Sequence, residues 1–235
     1  MCAATMNFDK FAAKQRCMYR TLIVVAILAI LFSSCSKKEV KQGKIIYTIE
    51  YELPDSLTRY AAYLPKQAIV YFKGDSTVSI QQAGDEATTV ITDKPTDFMR
   101  VLLRSSNSKY EIDYNRAQQP ELLPATSGYT YEPTADTMTI AGYKAKKYQL
   151  TDKATGLTSE AWFTKQLSIV PNYLTTVFDT TYGAPLTFTT RQNDMPVKTT
   201  LKEIRFEPVP DGIFSTPKGY QKMTPDQFKN MPLGN

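Results

Sequence analysis

Few side chains in this sequence could do acid–base or nucleophilic chemistry. The 235 residues contain no histidine, which excludes histidine general bases, Ser-His-Asp and Cys-His nucleophiles, and histidine-ligated zinc. The ten glycines do not fall into the spacing of a phosphate-binding loop, and no Gly-x-Ser-x-Gly nucleophile turn occurs. We therefore predict no catalytic residue, no metal ligand and no cofactor.

Two pairs of carboxylates lie close together in the sequence. Asp93 and Asp97 could pair, and Glu50 and Glu52 share one face of a predicted strand. The alternating pattern around Glu50 and Glu52 favours solvated surface charge over a catalytic acid pair. No carboxylate spacing is typical of a calcium loop.

One cysteine stands in a setting that predicts covalent chemistry. Cys35 follows Ser33-Ser34 and an apolar run of 11 residues, 22–32, and the basic residues Lys14, Arg16 and Arg20 lie ahead of that run. The run is too short to span a bilayer, which takes about 20 residues, and suits the core of a signal peptide. The pattern resembles a bacterial lipobox and predicts lipid attachment at Cys35. The alternative is a plain secretory peptide with an incidental cysteine.

This interpretation divides the chain into three parts. Residues 1–34 are the predicted lipoprotein signal peptide, with Met18 as an alternative start of translation. Residues 35–43 form a polar tether with three lysines, and residues 44–235 form a single β-rich domain with a short C-terminal helix. We expect the anchored protein in the envelope of a Gram-negative bacterium, at the outer membrane and facing the periplasm.

The charge of the processed chain argues against nucleic acid as a partner. Residues 1–34 hold four of the 28 basic and one of the 23 acidic residues, so the remainder carries a net charge of about +2. Cys35 is the only cysteine after residue 34, which excludes an intramolecular disulfide there. Packing must therefore stabilise the domain.

Alternation of apolar and polar residues predicts a series of antiparallel strands. Residues 54–64 have helical spacing, and Thr224-Pro-Asp-Gln227 predicts a capped terminal helix. Residues 167–179 stay unassigned, because they are too apolar for a loop and too irregular for a strand. The predicted strands are 44–52, 68–72, 77–80, 88–92, 98–103, 109–114, 138–140, 143–150, 159–164, 185–191 and 197–208.

The aromatic residues of the later strands are the candidates for a ligand site. They could line a lipid cavity, although aromatic side chains on strands are also typical of a packed core. Both interpretations remain open from periodicity alone. The candidate cavity residues are Tyr148, Trp162, Phe163, Phe188 and Phe206.

Three stretches together resemble a family of periplasmic lipoproteins related to the LolA/LolB-like lipoprotein-sorting proteins. They are Ile-Ala-Gly-Tyr-Lys-Ala-Lys-Lys-Tyr-Gln-Leu at 140–150, Glu-Ala-Trp-Phe-Thr at 160–164 and Pro-Asp-Gly-Ile-Phe-Ser-Thr-Pro-Lys-Gly-Tyr at 210–220. The resemblance covers roughly residues 44–223. It implies an antiparallel sheet curled into a half-open barrel, with helices over the mouth and an apolar interior suited to acyl chains.

Two functions follow as hypotheses. The first is a lipid-anchored, non-catalytic envelope protein that binds an acyl chain or another apolar ligand in the half-barrel. The alternative is an accessory lipoprotein that binds an envelope protein and has no ligand cavity.

Overall fold

The computed structural model describes residues 41–122, 128–192 and 195–231, which form one β-sheet with a few short helices. The predicted signal peptide, Cys35 and most of the tether lie outside the described residues. Four short 3₁₀-helices span Asp55–Tyr63, Lys94–Thr96, Gln119–Glu121 and Thr180–Tyr182, and one α-helix, α1, spans Pro225–Lys229 in this part of the chain. The strands are β1 (Gln42–Tyr51), β2 (Gln67–Lys73), β3 (Ser76–Ala83), β4 (Glu86–Asp93), β5 (Phe98–Arg104), β6 (Lys109–Tyr114), β7 (Tyr129–Ile140), β8 (Tyr143–Asp152), β9 (Thr158–Thr164), β10 (Ala184–Gln192), β11 (Met195–Arg205) and β12 (Gln221–Met223).

Two antiparallel meanders make up the sheet. Strands β1 to β6 follow one another, strands β7 to β11 do the same, and β1 pairs with β11 to join the two series. The short β12 adds to β6 in parallel. The curled antiparallel sheet is therefore mainly β, as predicted, and it is not closed, because β12 and β7 form its two ends.

The alternation of side chains defines two faces. Ile45, Tyr47 and Ile49 of β1 are at most 5% exposed and lie on what we call the inner face. Thr48 and Glu50 lie on the opposite, outer face, because successive residues of a strand point to opposite sides. The pairing registers carry this division across the sheet.

The segment 165–183, which contains the unassigned residues 167–179, packs on the inner face. Leu167, Val177 and Phe178 join the buried cluster built by β1, β2 and β8 to β11. Tyr173 packs against a second cluster from β4 to β6, which α1 also touches through Phe228. A loop and a helix thus cover the core side of the sheet.

A second covering segment crosses the outer face. Phe214 and Tyr220 of residues 206–220, which we call the outer strap, pack on Val78, Ile91 and Leu102 of strands β3 to β5. This cover explains why these three outer-face residues are buried.

The two predicted helices have different outcomes. The terminal helix is confirmed, because Thr224 and Gln227 form the capping box that begins α1. The segment 54–64 is a 3₁₀-helix with no buried residue, and its Leu57, Tyr60 and Tyr63 are 37%, 46% and 73% exposed. Its apolar face therefore does not pack as an amphipathic helix usually does.

Candidate functional site

Three of the predicted cavity residues meet in an aromatic cluster on the inner face. The ring centroids of Tyr148 and Phe163 lie 5.6 Å apart in an edge-on arrangement. Phe178 of segment 165–183 continues the cluster, 5.7 Å from Phe163 and 4.9 Å from Phe188. Because Phe163 and Phe188 are only 2% and 1% exposed, these rings form part of the packed core.

The cluster extends to the end of segment 165–183 through tyrosines. Tyr182 stacks on Tyr131 at 4.1 Å and meets the edge of Tyr148 at 5.3 Å. The hydroxyl of Tyr131 also accepts a 2.9 Å hydrogen bond from the backbone N–H of Asp179. Segment 165–183 is therefore fixed to the sheet by both rings and a polar contact.

The other two predicted cavity residues lie elsewhere. Trp162 is on the outer face, since its neighbour Phe163 points inward, and the Nζ of Lys147 lies 6.0 Å from its ring centroid. Phe206 is 57% exposed and its ring meets the edge of Phe72 at 5.9 Å. Hence the structure does not bring the five residues together around one space.

Segment 165–183 turns at a buried asparagine. Asn172, 2% exposed, accepts hydrogen bonds on its side-chain Oδ1 from the N–H of Leu174 and on its backbone carbonyl from the N–H groups of Thr175 and Thr176. Its own N–H donates to the hydroxyl of Thr175. Hydrogen bonds within the turn thus pair backbone groups that have no partner in the sheet.

A cavity of about 300 Å³ lies between segment 165–183 and the start of β10, and slightly more than half of its lining residues are apolar. We call it the end cavity. Lys165 is the only charged residue of its lining, and Phe178 connects it to the aromatic cluster. The lining residues are Lys165, Leu167, Ser168, Ile169, Val170, Pro171, Thr175, Phe178, Thr180, Thr181, Gly183, Ala184 and Pro185.

Sequence reasoning missed the lining of the end cavity. A signal was present, since residues 167–171 are apolar apart from Ser168 and begin two residues after Lys165. Strand periodicity could not use it, because these residues do not alternate between two faces.

On the other side of segment 165–183 lies a second cavity of about 420 Å³, which we call the acidic cavity because its lining includes Asp75, Asp93, Asp97 and Asp179. Asp93 accepts hydrogen bonds from the hydroxyls of Ser76 and Thr96, at 2.6 and 2.5 Å, and these lower its pKa. Asp97 pairs at 3.2 Å with Arg116. Asp93 and Asp97 therefore each interact with other side chains. They do not form a carboxylate pair that shares a proton.

Tyr47 is the most deeply buried tyrosine on the inner face. Burial raises the pKa of Tyr47 to about 12, and the nearby Asn172 side chain offsets part of that rise. Neither the Tyr47 hydroxyl nor the Asn172 Nδ2 reaches hydrogen-bond geometry with a partner. Such a hydroxyl stays protonated at ordinary pH.

Within residues 41–122, 128–192 and 195–231, no group of three or more acidic or cysteine side chains is placed to hold a metal ion. In the same residues no helix has both the length and the apolar character needed to cross a membrane.

Fold and site together define a class: an open antiparallel sheet whose inner face is covered by a loop that borders small cavities. The chain belongs to the family described as "Domain of unknown function (DUF4412)", whose profile matches residues 60–177. The match runs from the first 3₁₀-helix into segment 165–183 and includes much of the lining of the end cavity. A relation to the LolA/LolB-like proteins is not shown by this match.

Solved structures of two proteins are distantly similar to the chain. One is PNGF-II in C2 space group, at 16% identity and a TM-score of 0.46, covering 80% of this chain and 32% of that protein. This chain thus spans about a third of PNGF-II. The other is LprF from Mycobacterium bovis, at 14% identity and a TM-score of 0.35, covering 76% of this chain and 91% of LprF. No curated protein matches the chain. Structural similarity at this level does not indicate a function for this chain.

Proposed function

We propose that this chain is a lipid-anchored, non-catalytic envelope protein that binds a fatty acyl chain in the end cavity. The observation that carries the proposal is the lining of that cavity. Leu167, Ile169, Val170 and Phe178 supply apolar walls, and Lys165 supplies a single positive charge. An alkyl chain with one carboxylate is complementary to such a lining, because its tail avoids water and its head pairs with the ammonium group.

The size of the cavity limits the ligand. Its volume of about 300 Å³ lies at the small end of the range of roughly 300–1,000 Å³ typical of small-molecule sites. The site therefore fits one acyl chain rather than a whole diacyl lipid.

The proposed anchor is consistent with this location. Lys41 accepts a 2.9 Å hydrogen bond from the N–H of Gly74, so the chain enters the sheet at the end of β1 where β9 ends and β10 begins. The end cavity lies at that same end of the sheet. Only five residues lie between Cys35 and Lys41, a span of about 20 Å when extended. An acylated Cys35 would keep this end of the sheet within reach of lipid.

A fluorescent fatty acid tests the proposal on the compact unit of residues 40–235. Dansyl-labelled undecanoic acid should gain emission on binding. Ile169→Asp should weaken binding at least about tenfold, because it places an unpaired charge in the apolar wall. Lys165→Met should weaken binding of the dansyl acid. It should not change the affinity for the methyl ester of the same acid, which has no carboxylate.

Leu57→Asp is the matched control, because it puts the same charge on an exposed residue that does not line the end cavity. It should bind the dansyl acid as the wild type does. Equal affinities of the wild type and Ile169→Asp would refute the end cavity as the site.

The alternative of a protein-binding accessory lipoprotein is favoured by one observation. Leu57, Tyr60 and Tyr63 expose an apolar surface on the first 3₁₀-helix, and exposed apolar surface is typical of interaction sites. Under this alternative, Leu57→Asp would release an envelope protein in cells, while Ile169→Asp would have no effect beyond stability.

A further inference from the structure

A row of paired residues crosses the outer face of the sheet from β8 to β1. We call it the polar row. With strands roughly 4.8 Å apart, its five positions span about 19 Å. The paired residues are, in order, Lys147, Trp162, Thr187, Thr200 and Thr48.

The hydroxyls of the polar row lie on one side of the indole. Thr187 and Thr200 are directly paired neighbours on β10 and β11, and both are half-buried. Each threonine hydroxyl can donate one hydrogen bond and accept others. A ligand that lies along the row would meet the half-buried indole of Trp162, with the Lys147 ammonium 6.0 Å from its ring centroid, and then the hydroxyls of Thr187 and Thr200. The Thr48 hydroxyl already donates to the backbone carbonyl of Thr200 at 3.3 Å.

Charges beside the polar row are paired with opposite charges. The Nζ of Lys147 lies 2.7 Å from Glu160 and 3.6 Å from Asp136, and Lys198 lies 3.9 Å from Glu50. This balance does not favour a polyanion such as nucleic acid, which needs an excess of basic side chains. It suits a ligand whose own groups are mainly neutral hydroxyls.

The surface is concave over the middle of the polar row, at Trp162, Thr187 and Thr200. A groove of about 1030 Å³ includes Trp162, Thr187, Thr189, Lys198 and Thr200 in its lining. The outer strap covers β3 to β5, whereas these residues remain half-buried or exposed. The groove is thus more than three times larger than the end cavity, and its lining has more charged side chains.

We propose that this groove binds an extended polysaccharide chain. A sugar ring has an apolar face of C–H groups, which packs on an indole, and a rim of hydroxyls, which matches threonine hydroxyls and charged side chains. A protein segment docked on a sheet would instead add to an edge strand through its backbone. An acyl chain would leave the threonine hydroxyls without partners.

The tryptophan itself reports on this site, because Trp162 is the only tryptophan of the chain. Purified full chain in detergent is titrated with chitohexaose and, separately, with maltohexaose, and the indole emission is recorded. We expect at least one hexasaccharide to shift or quench the emission with a dissociation constant below about 1 mM, a weak but specific affinity.

Isothermal titration calorimetry of variants then locates the binding. Trp162→Ala should weaken it by more than about tenfold, as loss of a central aromatic contact does. Thr187→Val and Thr200→Val should each weaken it about fivefold, the effect of one hydrogen bond, while keeping the side-chain shape. Thr89→Val is the matched control, because Thr89 is a half-buried threonine of the outer face outside the polar row. It should bind as the wild type does.

The outcomes separate the sources of the polysaccharide. Preference for chitohexaose would indicate an amino-sugar polymer such as the glycan of a cell wall, and preference for maltohexaose would indicate a glucan. The proposal is overturned if neither hexasaccharide gives an emission change or heat of binding. It is also overturned if Thr187→Val and Thr200→Val, with wild-type thermal stability, bind as tightly as Thr89→Val.

Discussion

At the scale of single residues, the inner face contains polar groups that a packed core usually excludes. Thr77, Ser79 and Thr199 are at most 2% exposed, as are Tyr47 and Asn172. Thr77 meets the hydroxyl of Thr92 at 2.7 Å, whereas Ser79 Oγ and Tyr47 Oη lack a partner. Such groups weaken the fold, since an unpaired buried polar atom costs about 1–3 kcal/mol.

Tyr47 gives a prediction about alkaline stability. Its pKa is about 12 in the folded chain and near 10 in the unfolded chain. Above pH 10 only the unfolded chain releases this proton, so the free energy of unfolding falls by up to roughly 3 kcal/mol between pH 10 and 12. Tyr47→Phe should remove this part of the loss, as measured by urea denaturation at pH 8, 10 and 11.

Near neutral pH, Tyr47→Phe should change the free energy of unfolding by less than about 1 kcal/mol, because the hydroxyl has no partner to lose. If the stability of the variant and of the wild type fell in parallel above pH 10, Tyr47 would not be the source of the loss.

Sequence patterns predicted the face of the sheet on which a residue lies better than they predicted which residues it contacts. Alternation separates Lys146 from Lys147, and the structure confirms it: Lys146 approaches Tyr148, whereas Lys147 approaches Trp162. By the same rule Trp162 and Phe163 cannot line one cavity on one face. Burial of Phe163 and exposure of Phe206 depend on distant segments, so the sequence alone did not decide them.

At the scale of elements, both faces of the sheet are held by irregular segments. Segment 165–183 covers the inner face, and the outer strap covers β3 to β5. Arg100 connects the outer strap to the sheet: its Nη1 donates to the Thr216 hydroxyl at 2.9 Å, and its Nε donates to Asp113 at 2.6 Å. This contact is the main polar link that the described residues show between the strap and β5.

Arg100→Met should loosen the outer strap. The change keeps a long apolar stem but removes the donors to Thr216 and Asp113, at a cost of about 1–3 kcal/mol. Hydrogen–deuterium exchange of residues 206–220 should increase, while exchange of segment 165–183 should not. Faster exchange in both segments would mean that Arg100 stabilises the whole sheet rather than the strap.

Arg100 and Lys222 also lower the pKa of Asp113. The lowered pKa predicts how the stability of the folded chain changes in acid. The ionised carboxylate stabilises the folded chain above the unfolded pKa near 4, and that contribution is lost as the pH falls through the lower folded value. The strap should therefore loosen in acid in the wild type. This pH dependence should be smaller in Arg100→Met, in which only Lys222 still pairs with Asp113, at 3.1 Å.

Most strands were predictable because they obey a period of two. The early strands 68–72, 77–80, 88–92, 98–103 and 109–114 correspond to β2 to β6 within a few residues. Segment 165–183 and the outer strap were not predictable, because their shape depends on side chains from strands far away in the sequence. The start of β7 at Tyr129 was missed as well, since most residues of this end strand are exposed.

At the scale of the whole molecule, the sequence indicated an open antiparallel sheet but not its order. The pairing of β1 with β11 joins residues more than 140 apart, and no local pattern encodes it. That pairing brings the entry of the chain to the end of the sheet that carries the end cavity. The proposed acyl site therefore lies at the end of the sheet where the described chain enters β1.

The most direct test of this account is photo-crosslinking in cells with a palmitate analogue that carries an alkyne and a diazirine. We expect two kinds of label on the full chain. One forms without light at Cys35 and is absent from Cys35→Ser. The other needs light, remains in Cys35→Ser, and maps by mass spectrometry to residues 165–185. Light-dependent labelling outside this segment, or none at all, would contradict the proposal that the end cavity binds an acyl chain.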